Sequence, residues 1–192
     1  MEQSQIKIFY PTNIAEWRNW LQENHLTHQA VWVVFHTKSS VKPTITWSEA
    51  VDVALCFGWI DSKKISIDKE TSHQYFSKRK TQSTWSKVNK QKIELLTQQG
   101  LMADAGFKTI ETAKQNGSWT ILDSVEELIL PNDLKEALTL KPLAMEFYEG
   151  LSKSAKKGIL LWLVLAKKPE TRQKRIDEIA ELASQNKKPK HL

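Results

Sequence analysis

The segment from residue 30 to residue 78 constrains the fold most, because strand patterns recur in it at short intervals. Residues 30–35 (AVWVVF) are β-branched and aromatic and are bounded by polar residues, which indicates a strand. Residues 63–68 and 73–78 flank the polar turn DKETS and alternate in character as the strands of a hairpin do. We expect these three strands to share one small sheet.

Helix signals surround these strands. Thr46 and Glu49 have the spacing of a capping box, which opens a helix that Gly58 is placed to end. Two further helices are expected before Gly100 and Gly117, because glycine readily takes the left-handed conformation that follows many helices.

From Pro131 onward the pattern is helical throughout, and the last helix carries isoleucines and alanines on one face. We therefore predict an α+β fold, with a small, mostly antiparallel sheet and packed helices in residues 1–125. An all-helical C-terminal subdomain, residues 126–192, is expected to pack on this core domain.

The composition is that of a globular protein, with 40% hydrophobic and 26% charged residues and a net charge of +6. The longest apolar run, residues 159–166, is far shorter than the roughly 20 residues of a membrane span. The first residues lack the pattern of a signal peptide, so we expect a cytoplasmic protein without a membrane span. The composition does not indicate an oligomeric state.

The basic segment from Lys63 to Lys92 is the main functional signal. It holds nine basic residues and two acidic ones, interleaved with aromatic residues. Such a segment is typical of a site for an anionic small molecule or a nucleic acid, although lysines that only solubilise an exposed hairpin would give the same pattern. The candidate ligand-binding residues are Trp59, Asp61, Arg79, Lys80, Trp85, Ser86 and Lys87.

Asp61 is the one carboxylate in that set. With a hairpin turn centred near Glu70 and Thr71, Asp61 would face Arg79 and Lys80 across the two strands. This placement predicts either a structural salt bridge or a functional carboxylate beside a basic cluster.

Cofactor and metal signals are weak. Cys56 falls in the last turn of its helix among apolar neighbours, where a buried thiol is expected rather than a nucleophile. His25 and His28 lack further ligands nearby, and the scattered glycines form no phosphate-binding loop. We expect no cofactor and no metal, and no catalytic residue is assigned.

A family resemblance rests on the residues Glu49–Val51, Ala54–Asp61, Arg79, Ser83, Trp85–Lys87, Asn89, Gly100–Met102, Ala113, Lys114, Gly117, Trp119, Ala166, Lys167, Thr171, Arg172, Arg175 and Ile176. With these residues the chain resembles the YdeI/OmpD-associated family, also labelled bacteriocin-protection proteins, over about residues 17–187. The resemblance implies a bacterial protein of α+β and helical build, with a role in antimicrobial or envelope stress protection and no assigned reaction.

The sequence is compatible with three functions. The first is a protein that binds an anionic ligand between the hairpin and the helix that follows Ser86. The second is an enzyme that uses Asp61 as general acid or base in the same cleft. The third is a scaffold that docks an acidic partner through its basic C-terminal helix, which would require an exposed apolar stripe on residues 169–187.

Overall fold

The computed structural model describes residues 6–189, and the chain forms two compact units, Met1–Trp119 and Thr120–Leu192. The predicted α+β class with a helical C-terminal part is confirmed. The division into domains at residues 125 and 126 stays a prediction. The first unit contains strands β1 (Ile8–Phe9), β2 (Ala30–His36), β3 (Trp59–Ser66) and β4 (Thr71–Lys78), and helices α1 (Ile14–Asn24), α2 (Trp47–Cys56), α3 (Lys87–Gln98) and α4 (Asp104–Gln115).

The four strands form one sheet in the order β1-β2-β4-β3. β1 runs parallel to β2, whereas the β2–β4 and β3–β4 pairs are antiparallel. The prediction that residues 30–35 share a sheet with both hairpin strands is confirmed, and α2 packs next to β3. The short strand β1 was not predicted.

The hairpin register differs from the prediction. Ser66 pairs with Ser72, and the strands shift register between Asp61 and Lys64, so that Asp61 lies opposite Phe76. The carboxylate of Asp68 accepts hydrogen bonds from the backbone N–H groups of Glu70 and Thr71, which fixes a turn earlier than expected. The prediction that Asp61 faces Arg79 and Lys80 is therefore wrong.

Local capping signals are confirmed at both ends of α2. The Thr46 side chain accepts from the Glu49 backbone N–H, and the Glu49 carboxylate accepts from the Thr46 N–H at 2.7 Å. Gly58 follows the helix with a φ of 71°. These contacts satisfy backbone groups that a helix end otherwise leaves without partners.

The core of the first unit is rich in aromatic rings. Trp17, Trp59 and Phe76 are fully buried, and Trp17 stacks on Trp20 with ring centroids 5.5 Å apart. Cys56 is also fully buried, as predicted, and burial raises the pKa of its thiol. The burial of these apolar side chains is the main source of stability for the sheet and its helices.

The second unit is helical, and its core consists mostly of leucines, isoleucines and alanines. Within residues 6–189, no helix is both long and apolar enough to cross a membrane. The apolar residues of the last helix of the second unit (Ile176, Ile179, Ala180 and Ala183) are buried, as their spacing predicts. Its helices are α5 (Asp123–Glu126), α6 (Asn132–Thr139), α7 (Ala144–Glu149), α8 (Lys153–Val164) and α9 (Pro169–Ser184).

Candidate functional site

Arg79 occupies an unusual position just after β4. Its backbone N–H donates to the Gly58 carbonyl at 3.0 Å, which brings the end of the hairpin beside the end of α2. Its guanidinium lies over the ring of Trp85, 3.6 Å from the centroid. The only acceptor it reaches among residues 6–189 is the Thr84 carbonyl, at 3.4 and 3.5 Å.

This guanidinium has no carboxylate partner among residues 6–189. Among the described residues it forms no salt bridge, and its buried Nε has no hydrogen-bond acceptor. Burial lowers the pKa of Arg79 to about 10, and the charge of Asp61 opposes that shift only in part. A cation removed from water without a paired anion is costly, so a bound anion at this point would be stabilising.

Arg79 lines a groove of about 390 Å³ together with two other cations, Lys78 and Lys108. No aspartate or glutamate lines this groove. We call it the cationic groove; its remaining lining residues are His25, Leu26, Phe57, Gly58, Thr81, Ala105, Thr109 and Thr112. Three positive side chains around a small concave surface concentrate a positive potential there.

Helix α4 forms one wall of the cationic groove. It can pack closely on the chain at Gly58 because glycine has no side chain there. A Cβ at Gly58 would overlap the Thr109 hydroxyl oxygen. The helix begins after Ala103, which offers no side-chain cap and donates its own N–H to the Cys56 carbonyl at 3.0 Å. Asp104 lies in the first turn of α4, so its carboxylate offsets the positive end of the helix dipole there.

An adjoining hollow extends the groove. It has a volume of about 600 Å³, shares His25, Phe57 and Lys108 with the groove, and adds Arg18 and Asp104. Positive side chains outnumber the single carboxylate across both hollows.

The aromatic residues of the predicted site are core residues rather than exposed walls. Trp59 is fully buried, and Trp85 is 2% exposed. Trp85 contributes to the groove indirectly, because its ring supports the guanidinium of Arg79.

The other basic residues of the predicted site, and Ser86, lie outside the cationic groove. Lys80 is exposed, and Ser86 caps α3 by accepting from the Asn89 N–H at 3.3 Å. Lys87 lines a different hollow of about 390 Å³ beside α3, which also contains Lys114 and Trp119. Arg79 is thus the one predicted cation in the cationic groove.

Asp61 lines a fourth and larger pocket, of about 770 Å³, which we call the Asp61 pocket. Its Oδ2 accepts from the indole Nε1 of Trp47 at 2.9 Å and from the Gln74 side-chain amide at 3.2 Å. The remaining lining residues are Phe35, His36, Thr37, Lys38, Thr44, Ile45, Thr46, Ser62, Lys64 and Ser72. The cleft expected to hold both Asp61 and Arg79 is therefore divided into two sites.

Sequence reasoning missed Lys108, Trp47 and Gln74. Lys108 belongs to a helix that is remote in sequence, so only the tertiary fold brings it to Arg79. Gln74 does carry a sequence signal, because it lies two residues before Phe76 and therefore on the same face of β4. It is buried there, and a buried polar side chain needs hydrogen-bond partners.

No group of three or more His, Cys, Asp or Glu side chains suited to a metal ion occurs in the described part of the chain. The pair His25 and His28 makes separate contacts instead. His25 lies against the Phe57 ring, and His28 lies against Trp20.

Comparison with known proteins gives two family matches. Residues 9–109, more than half of the chain, match the family described as "Domain of unknown function (DUF8412)". Residues 127–186 match the family described as "Bacteriocin-protection, YdeI or OmpD-Associated". The chain therefore belongs to the DUF8412 family, and the match of residues 127–186 to the YdeI/OmpD-associated family confirms the predicted resemblance over that range. Neither a curated protein nor a solved structure matches the chain.

Proposed function

We propose that this protein binds a small anionic molecule in the cationic groove. The observation that carries the proposal is the guanidinium of Arg79, which is held on Trp85 and has no carboxylate partner among the described residues. An anion in the groove would neutralise Arg79 together with Lys78 and Lys108.

The groove volume favours a small ligand. About 390 Å³ lies at the lower end of the range of small-molecule sites, which suits a phosphorylated or carboxylated metabolite. The hydroxyl of Thr81 offers a donor for a further oxygen atom of such a ligand, whereas the hydroxyls of Thr109 and Thr112 donate to the Ala105 and Lys108 carbonyls.

The competing functions have less support. Asp61 does not line the cationic groove, so an enzyme that combines Asp61 with Arg79 in one cleft lacks its geometry. The apolar face of α9 is buried, so the scaffold hypothesis lacks the exposed stripe that it requires. A role in antimicrobial or envelope stress protection and a cytoplasmic location stay predictions.

The test is a calorimetric titration with inorganic phosphate and glucose 6-phosphate. Replacing Lys78 and Lys108 by alanine should weaken binding by at least about tenfold for each charge-assisted hydrogen bond that is lost. The matched control replaces Lys80 and Lys87, which removes the same charge outside the groove, and should change affinity less than about twofold.

A salt series extends this comparison. Binding at a localised site should keep the difference between the two double variants at every salt concentration. Equal losses from both variants, with a steep dependence on salt, would show diffuse electrostatic attraction and overturn the proposal.

A further inference from the structure

The Asp61 pocket presents a carboxylate oxygen in a fixed position. Trp47 and Gln74 both donate to Oδ2 of Asp61, and Gln74 also donates to the Ser62 carbonyl at 3.1 Å. Gln74 is only 5% exposed, so this support is rigid. Within residues 6–189, Oδ1 of Asp61 accepts no hydrogen bond. The pocket therefore offers an oriented acceptor that suits an N–H donor of a ligand.

The walls of the pocket suit a flat ring. Phe35 and Ile45 are apolar lining residues, and Trp47 lines the same space while remaining 53% exposed. The indole N–H of Trp47 donates to Asp61, which holds this edge of the ring beside the carboxylate. An aromatic ligand gains from stacking on such a surface.

Positive charge lies at the edge of the pocket. Lys38 and Lys64 are exposed lining residues, and neither forms a salt bridge within the described part of the chain. The volume of about 770 Å³ leaves room for a ring and a substituent. An anionic substituent on the ring would find its counter-charge on these lysines.

We propose that the Asp61 pocket binds an amino-substituted nitrogen heteroaromatic ring of the kind found in nucleotides. The amino group donates to Oδ1 of Asp61, the ring lies against Trp47, and an anionic substituent lies near Lys38 and Lys64. This site is separate from the cationic groove and does not depend on it.

Adenosine and purine riboside test the ring contact, because they differ only in the amino group and carry no anion. Calorimetry or fluorescence titration should show that the protein binds adenosine at least about tenfold more tightly than purine riboside, since only adenosine can donate an amino N–H to the carboxylate. Neither nucleoside is an anion, so failure here leaves the cationic groove unaffected. Absence of adenosine binding, or equal affinities, would overturn the proposal.

The substitution Asp61→Asn tests the contact between the carboxylate and the ring directly. The two N–H donors of Trp47 and Gln74 will hold the amide oxygen at the Oδ2 position, which places the amide NH₂ where Oδ1 was. The variant should therefore lose the preference for adenosine over purine riboside, because the amide NH₂ faces the amino group as a second donor. An unchanged preference in a folded variant, with folding checked by its thermal transition, would show that Asp61 does not contact the ring.

The anionic substituent is tested with adenosine 5′-monophosphate. It should bind more tightly than adenosine, and a Lys38→Ala, Lys64→Ala double variant should lose this gain while it keeps its affinity for adenosine. The Lys78→Ala, Lys108→Ala variant is the control and should retain the gain. Loss of the gain only in that control would place the phosphate in the cationic groove and overturn this part of the proposal.

Discussion

The guanidinium carbon of Arg79 lies 3.6 Å from the ring centroid of Trp85, which is itself 2% exposed. The stack holds the cation in one orientation at the end of the hairpin, beside Gly58 of the α2–β3 turn. Its hydrogen bonds to the Thr84 carbonyl are long, and no described carboxylate pairs with it. The proposed function assigns this charge to ligand binding rather than to stability of the fold.

Arg79→Met should therefore separate binding from folding. The methionine stem can still cover Trp85, and replacing a poorly paired, partly buried charge with an apolar group is often neutral or stabilising. We expect the free energy of unfolding to stay within about 1 kcal/mol of the parent or to rise. Phosphate binding should be lost. Denaturant unfolding and calorimetry measure the two effects, and a loss of stability well beyond that range would show that Arg79 is mainly structural.

Gly58→Ala should destabilise the first unit strongly. Alanine at this position meets two penalties, a left-handed backbone with a φ of 71° and an overlap with the Thr109 hydroxyl. Strain and overpacking together should cost about 2–4 kcal/mol.

Gly100→Ala is the matched control for this substitution, because its φ is 69° but nothing lies within 4 Å of its added Cβ. It should cost about 1 kcal/mol, from backbone strain alone. Equal losses in thermal or denaturant unfolding would mean that α4 does not pack closely on Gly58.

Cys56 should react slowly in the folded protein. Its side chain is fully buried, and burial raises the pKa of the thiol, so little thiolate exists at neutral pH. A thiol reagent should label the native protein orders of magnitude more slowly than the protein in denaturant. Rapid stoichiometric labelling without denaturant would contradict the buried position.

The ion pair between Asp133 and Arg172 should make the stability of the second unit depend on acid pH. The guanidinium Nε and a terminal nitrogen donate to the two carboxylate oxygens at 2.7 and 3.0 Å, and this holds the pKa of Asp133 below its ordinary 3.8. A lowered carboxyl pKa stabilises the folded state above the ordinary pKa, and this stabilisation is lost as the pH falls through the lowered value.

Arg172→Met tests this dependence. It should cost at most about 1 kcal/mol at pH 7, because the pair is partly exposed to solvent. The difference from the parent should shrink towards zero near pH 2, as measured by urea unfolding at several pH values. A loss that is the same at both pH values would show that Arg172 acts through packing alone.

Local sequence signals predicted much of the fold. The capping box of Thr46 and Glu49, the glycines after three helices and the strand residues 30–35 all act through contacts a few residues apart. Such signals depend little on the rest of the chain, so the elements that they specify can be predicted from the local sequence.

The candidate site was less predictable because it depends on register and on remote residues. The turn fixed by Asp68 and the irregularity between Asp61 and Lys64 shift the position of Asp61 relative to β4. Lys108 reaches Arg79 only through the packing of α4. The basic character of the hairpin indicated the region of the groove, whereas the division into two pockets required the tertiary structure.

The register shift in β3 also affects how copies of this protein meet. β3 has a single neighbour in the sheet, and an edge strand with a regular row of free N–H and C=O groups invites another chain to pair with it. Here the shift interrupts that row, and Lys63 and Lys64 place two positive charges at the interruption. The irregularity that sets the position of Asp61 thus also protects the protein against edge-to-edge aggregation at high concentration.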